Sequence, residues 1–302
     1  MNPYRYTDLK PEFDLQLNHT TKDWSRYTVK FPIARPTRYE ENNIAYGDYY
    51  RPNRGSKWPL AILVHGWGDR SVIPFKLLAR DLTKRGIACF ILYLIFHQKR
   101  MPPSVIERLP NLTPEEWFEG YQTSVIDIRQ VVDWAGRNKD IDKRRIAVIG
   151  ISLGGIVSTI TLGVDKRISA GVLIVAGGNY QSPTWLKMTE PGKTEEEYLR
   201  SQNLYQQYLD EVKQKGVDKV VPSHKSYLTD PVTFAVNLDS RPVLMLNAKW
   251  DERIPKQSTI DLWNASGKPQ IKWYPATHSS IWLLYPSLLN QIVNFLNCAF
   301  RL

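Results

Sequence analysis

A serine stands between glycines in Gly150-Ile-Ser152-Leu-Gly154-Gly155, at the point where the apolar run "RIAVIGIS" gives way to "LGGIVSTITLG". A strand before and a helix after would make this a nucleophile elbow. In such an elbow a sharp turn holds the serine in a strained conformation and lifts its hydroxyl clear of the sheet. A serine hydroxyl at its ordinary pKa is a weak nucleophile, so chemistry at Ser152 needs a general base and a group to orient that base.

Five histidines are available. His19 falls in the N-terminal stretch, His97 in a basic loop and His224 in a polar segment, and each reads as a surface or loop residue. His65 ends the run "AILVHG" well before the serine. His278 follows "IKWYPAT" and precedes the last helical pattern, which puts it at the C-terminal end of the last strand, where catalytic groups of open α/β sheets gather. The spacing therefore favours His278 as base.

The orienting acid should follow the strand before that one. Asp251 comes first after "RPVLMLNAKW", Glu252 is its immediate rival, and Asp230 and Asp239 are less apt because they flank the preceding helix. Attack on a carbonyl would also build negative charge, which oriented backbone N–H groups must stabilise at roughly 3 to 4 kcal/mol each. The N–H groups of Leu153 and of Trp67, in "HGWG", are the candidates. The Trp67 side chain either packs or walls an acyl pocket.

The elements that must position these groups follow from the pattern of apolar runs. "PLAILVHG", "IACFILYLI" and "RIAVIGIS" are strand-length and rich in Val, Ile and Leu, and helical patterns alternate with them. Such runs suit parallel strands covered on both faces, with helical crossovers between them. A long helix is predicted from Thr113-Pro114-Glu115-Glu116, a capping residue followed by proline and acids. Its Trp117, Tyr121, Val125, Ile128 and Val132 form one apolar stripe, whose aromatic positions either pack on the sheet, the favoured reading, or touch a ligand.

Residues 1–55 read as an N-terminal extension with antiparallel edge strands in "WSRYTVKFPI" and "NIAYGDYYRP". Residues 56–302 read as the main domain. It is interrupted at about 179–228 by a polar, helical stretch that would form a cap. There Tyr180, Trp185, Met188, Tyr198, Tyr205 and Tyr208 either pack the cap down or touch an acyl group, with Trp185 and Tyr205 the candidate pocket walls.

The net charge of +10 is spread along the chain without a nucleic-acid-binding motif, so nucleic acid is not an expected partner. The basic loop with Lys99 and Arg100 reads as solvated surface in preference to an attractor of an anionic acyl group. The opening residues lack the apolar stretch of a secretory signal, and no run approaches a membrane span. Cys89 and Cys298 sit in apolar surroundings and read as buried, reduced thiols, in keeping with a cytoplasmic location. No cofactor and no metal are expected.

Taken together, Gly150-Ile-Ser152-Leu-Gly154-Gly155, "HGWG", "NAKWDERIP" and "WYPATH" resemble the α/β-hydrolase superfamily over roughly residues 55 to 302. Within it they look like the dienelactone-hydrolase-like and prolyl-oligopeptidase-like serine esterases. The resemblance implies an eight-stranded, mostly parallel sheet flanked by helices. It also implies acyl transfer through an acyl-enzyme, with Ser152 as nucleophile, His278 as base and Asp251 as orienting acid. Dienelactone hydrolases proper carry cysteine where this chain has Ser152, and 55 residues cannot form the propeller of an oligopeptidase. The leading expectation is a carboxylesterase for short- to medium-chain esters of small molecules. An amidase or aminoacyl-peptide hydrolase, and a non-catalytic ligand-binding fold, are the alternatives.

Overall fold

The computed structural model describes residues 2–238 and 241–301; Asp239 lies outside the described residues. The strands are β1 (Asp14–Thr20), β2 (Trp24–Pro32), β3 (Ile44–Pro52), β4 (Trp58–Val64), β5 (Ala88–Tyr93), β6 (Ile141–Ile151), β7 (Ala170–Ile174), β8 (Val243–Ala248) and β9 (Gln270–Tyr274). They form one sheet in the order β1-β2-β3-β5-β4-β6-β7-β8-β9. The six strands from β5 to β9 run parallel, and β1, β2 and β3 join antiparallel beside β5.

The described sheet thus has nine strands where eight were expected. The additional one is β1, "DLQLNHT", whose last five residues are exposed. An edge strand in solvent lacks the dense apolar run by which the central strands announce themselves.

The helices are α1 (Val72–Thr83), α2 (Pro103–Ile106), α3 (Pro114–Arg137), α4 (Leu153–Val164), α5 (Pro183–Thr189), α6 (Glu195–Lys215), α7 (Pro231–Ala235), α8 (Lys256–Ala265) and α9 (Tyr285–Phe300). Successive side chains of a strand point to opposite faces, and β4 shows the consequence. Leu60, Ile62 and Val64 pack with Val125 and Ile128 of α3 and Ile156 and Ile160 of α4. Ala61 and Leu63 pack with Phe75 and Leu78 of α1 and Leu288 and Ile292 of α9. Both faces are therefore dry, which is why these strands read as unbroken apolar runs.

Helix α3 starts as its sequence predicts. Thr113 caps it, accepting from the Glu116 N–H, while the Glu116 carboxylate accepts from the Thr113 N–H. Segment 179–228 contains α5 and α6. Tyr205 and Tyr208 of α6 join the core on the α3/α4 face, against Tyr227 and Phe234. Asp230 anchors the start of that segment by accepting the N–H groups of Asn179 and Tyr180 at 3.0 and 2.6 Å. Of the two cysteines only Cys89 is buried; Cys298 is exposed, against expectation, on the outer side of the amphipathic α9.

Candidate active site

Four parallel strands deliver the site. β6 ends at Ile151 and α4 begins at Leu153, so Ser152 is the whole turn between them. Its backbone sits at φ 53° and ψ −122°, a conformation a non-glycine residue rarely adopts. The turn holds because strand and helix pass in contact: a Cβ on Gly150 would meet the Gly154 carbonyl oxygen at 2.2 Å, and one on Gly154 the Val64 carbonyl oxygen at 2.0 Å. The Ser152 N–H donates to Ile174 O at 2.9 Å, which ties the elbow to β7.

His278 lies in the loop after β9, and its Nε2 is 2.9 Å from Ser152 Oγ. Its Nδ1 is 2.9 Å from each carboxylate oxygen of Asp251, in the loop after β8. That carboxylate is fixed in turn by the N–H groups of Arg253 and Ile254, at 2.9 and 2.8 Å. The neighbouring Glu252 takes a different partner, accepting the backbone N–H of His278 at 3.0 Å. The two adjacent acids thus divide the work, one holding the ring and the other the main chain that carries it.

The loop after β4 brings Trp67 beside the serine. Gly66 and Trp67 line a cleft of about 610 Å³ together with Ser152, His278, Arg253 and Trp282. Leu153 is the first residue of α4, so its N–H has no partner within the helix and belongs to the positive end of the helix dipole. The loop itself is pinned by His65, Ser71 and His97, whose places along the chain carry no sign of that role. The buried His65 sets Nδ1 at 2.7 Å from Gly66 O and accepts the Leu94 N–H on Nε2. Ser71 Oγ lies 2.7 Å from Gly66 O and 2.5 Å from Gly68 O, and its one proton serves one of them at a time. His97 accepts the Gly68 N–H on Nε2 at 2.9 Å, and its Nδ1 faces Ile95 O at 2.8 Å.

Those distances assign tautomers. Both rings carry the proton on Nδ1, because each Nε2 accepts from an amide. Burial is the main cause that pushes the His65 pKa down to about 3, so the ring is neutral and serves as a fixed strut. His97 is correspondingly a buried positioning group rather than a loop residue in solvent.

Arg100 overturns the reading of its loop as basic surface. It is fully buried and donates to Asp127 of α3 at 2.7 Å, to Tyr93 O at 2.9 Å and to Asn42 O at 2.9 Å. Burial raises the Asp127 pKa against the pull of this guanidinium. The pair therefore clamps the loop that carries His97 onto α3.

Of the aromatic residues considered as pocket walls, Trp67 stands beside Ser152 while Trp185 and Tyr205 do not. Trp185 stacks on Tyr180 at 4.7 Å, and Tyr205 is buried with its hydroxyl 3.1 Å from Thr233 Oγ1. Neither lines the cleft or the crevice next to it. That crevice, of about 20 Å³, is bounded by Trp67, Leu153, Val157, Ile95, Trp117 and Tyr121. Trp117 and Tyr121 thus face the site and do more than pack on the sheet, a role their helical spacing could not reveal. Among the described residues no group of three or more His, Cys, Asp or Glu is arranged to hold a metal ion, and no helix is long and apolar enough to cross a membrane.

A family model described as the alpha/beta hydrolase fold matches residues 59–291, so the chain belongs to the α/β-hydrolase family. Solved structures share the fold at low sequence identity. A cold-adapted esterase from an Arctic intertidal metagenomic library has a TM-score of 0.59 at 17% identity, covering 94% of this chain and 99% of its own. Acetyl xylan esterase from Paenibacillus sp. R4 has a TM-score of 0.64 at 16% identity, with 94% and 89% covered. Acetyl xylan esterase 1 from Thermoanaerobacterium sp. JW/SL YS485 has a TM-score of 0.60 at 14% identity, with 97% and 91% covered. Compared by sequence with curated proteins, the chain has no significant match.

Proposed function

We propose that the protein is a serine carboxylesterase acting on short- to medium-chain esters of small molecules through an acyl-enzyme. The observation that carries the reading is the continuous array Asp251–His278–Ser152, with 2.9 Å at each junction. It ends on a serine held at a strained elbow.

In this reading Ser152 Oγ attacks the ester carbonyl carbon while His278 Nε2 takes its proton. Asp251 holds the imidazole in the tautomer that presents a free Nε2, and it stabilises the imidazolium once formed. The carbonyl oxygen, now negative, is met by the N–H groups of Leu153 and Trp67. His278 then protonates the departing alcohol oxygen as the C–O bond breaks, leaving the acyl group on Ser152. Water enters by the same route and releases the acid.

This sequence of proton transfers orients the substrate. The alcohol must lie on the His278 side, in the cleft of about 610 Å³. The acyl chain then lies towards Leu153 and Trp67, where the crevice has room for about one water, in keeping with short acyl groups.

The test is hydrolysis of p-nitrophenyl esters from acetate to palmitate by wild type and Ser152→Ala. The expected result is turnover that falls with chain length and is abolished in the variant, with stability changed by no more than about 1 kcal/mol. No turnover of any ester by folded wild type contradicts the reading and directs attention to amide substrates. Loss of the fold in Ser152→Ala would make the serine structural.

A further inference from the structure

The crevice towards which the acyl chain points has one wall that is shared with a second space. Trp117 lines the crevice of about 20 Å³ on one side. It also lines a separate groove of about 290 Å³ on the other, where the start of α3 faces His224, Lys225, Ser226 and Thr229. The residue is 36% exposed, so it is not a core residue, and its place in both linings makes it the wall between the two spaces. It leans on Trp67 with ring centroids 5.0 Å apart, which places it against the residue that carries a proposed oxyanion donor.

The partition stands on a fixed base. Trp117 follows Glu116 in the first turn of α3. The Glu116 carboxylate accepts from the Thr113 N–H at 2.8 Å, from Arg108 at 2.6 and 2.9 Å, and from the Tyr39 hydroxyl. Arg108, the largest of these influences, holds the Glu116 pKa far below the usual carboxylate range. The backbone under the indole is thus tied to the N-terminal segment through Tyr39 and to the preceding loop through Arg108. A chain that lengthens by methylenes meets a wall that cannot retreat with the backbone.

We propose that Trp117 is a specificity-determining residue: its indole ends the acyl crevice and sets the longest acyl chain accepted, with the groove behind it as the space a longer chain would need. This rests on the esterase reading above. The discrimination follows from packing, since one methylene too many in an apolar pocket is rejected by roughly 10- to 200-fold.

Two substitutions act on the crevice in opposite directions. Trp117→Ala joins it to the groove, and Trp117→Phe opens it less. Gly120→Ala, one turn along α3, narrows it: the added Cβ would stand 3.7 Å from Ile95 Cδ1 and 3.8 Å from Phe96 Cε2, in ordinary contact. That change also favours the helix, so the test survives if Trp117→Ala fails to fold.

The measurement is kcat/KM for p-nitrophenyl acetate, butyrate and octanoate in wild type and the three variants. The expected result is an octanoate-to-acetate ratio at least tenfold higher in Trp117→Ala and raised less in Trp117→Phe. The butyrate-to-acetate ratio should fall in Gly120→Ala. Ratios unchanged within about twofold in the folded variants, while Ser152-dependent turnover persists, overturn the proposal and leave the esterase reading intact. Wild type that cleaves octanoate as well as acetate also overturns it. Absence of Ser152-dependent turnover with every ester overturns both together.

Discussion

His278 and His97 are both nearly buried imidazoles with hydrogen-bond partners at both ring nitrogens, yet the structure makes very different groups of them. His278 has a carboxylate on Nδ1 and a serine hydroxyl on Nε2, and it borders the cleft of about 610 Å³. His97, like His65, has a carbonyl on Nδ1 and a backbone amide on Nε2. An amide N–H cannot give up its proton to a histidine near neutral pH, and a hydroxyl being converted to an ester can. Burial therefore does not separate the proposed base from the strut here; the chemistry of the two partners does. In the proposed mechanism each region also depends on the other, because the struts hold the loop whose Trp67 N–H would meet the charge built by attack of Ser152.

The comparison can be broken most severely at the carboxylate that distinguishes His278. Asp251→Asn should lower kcat on a short ester by about 10⁴-fold, since the amide favours the wrong tautomer, with little effect on stability. Glu252→Gln should cost less than about tenfold, because the glutamine oxygen can still accept the His278 N–H. Steady-state kinetics of the two variants decide between adjacent acids. Equal losses would return the acid assignment to an open choice.

The struts should show themselves in acid. His65 has a folded pKa of about 3 against an ordinary 6.5. The stability that depends on its neutral form is fully present above pH 6.5 and is lost as the pH falls towards 3. It amounts to a few kcal/mol. Asp230 works in the opposite sense. Burial raises its pKa to about 6, so its contribution is fully present below its ordinary value and is lost as the pH rises through 6. Denaturant unfolding of wild type and His65→Gln at pH 7 and pH 4 isolates the histidine. The expected result is a smaller loss of stability on acidification in the variant, and an equal loss would remove His65 from the account.

The effect of His97 lies far below that of Asp251. His97→Ala removes the acceptor of the Gly68 N–H, and the loop that presents Trp67 loses one restraint. A fall in kcat of about tenfold, with KM changed little, is expected from loosening one oxyanion donor without deleting it. A rise in KM alone would mean that the loop positions substrate and not charge.

What could be read from the sequence was what is local or ordered along the chain. The elbow was legible because its glycines and serine lie within five residues, although only the contact that demands Gly150 is made by the same turn and the one that demands Gly154 comes from β4. Asp251 and His278 were legible from their places after successive strands, since the alternation of strand and helix fixes which sheet end they share. The choice against Glu252 was weaker, and only the bond from the His278 N–H to Glu252 gives that residue its own task.

Contacts between distant segments had no local signature. Nothing in "HQKR" says that Arg100 would be buried against Asp127 or that His97 would reach back 29 residues to Gly68. Trp117 shares its helical stripe with true core residues such as Val125. Its different surroundings arise because the start of α3 meets residues 224–229 on one side and Trp67 of the loop after β4 on the other. Tyr205 and Trp185 do not wall the cleft for the complementary reason: these aromatic residues of segment 179–228 have other rings to pack against.

The central claim, that Ser152 is a nucleophile activated by its neighbours, is tested most directly by covalent labelling with a fluorophosphonate. Intact-mass analysis should show one adduct per chain, peptide mapping should place it on Ser152, and Asp251→Asn should slow its formation by orders of magnitude. A folded protein that takes up no label, or takes it up elsewhere at a rate indifferent to Asp251, would contradict the account.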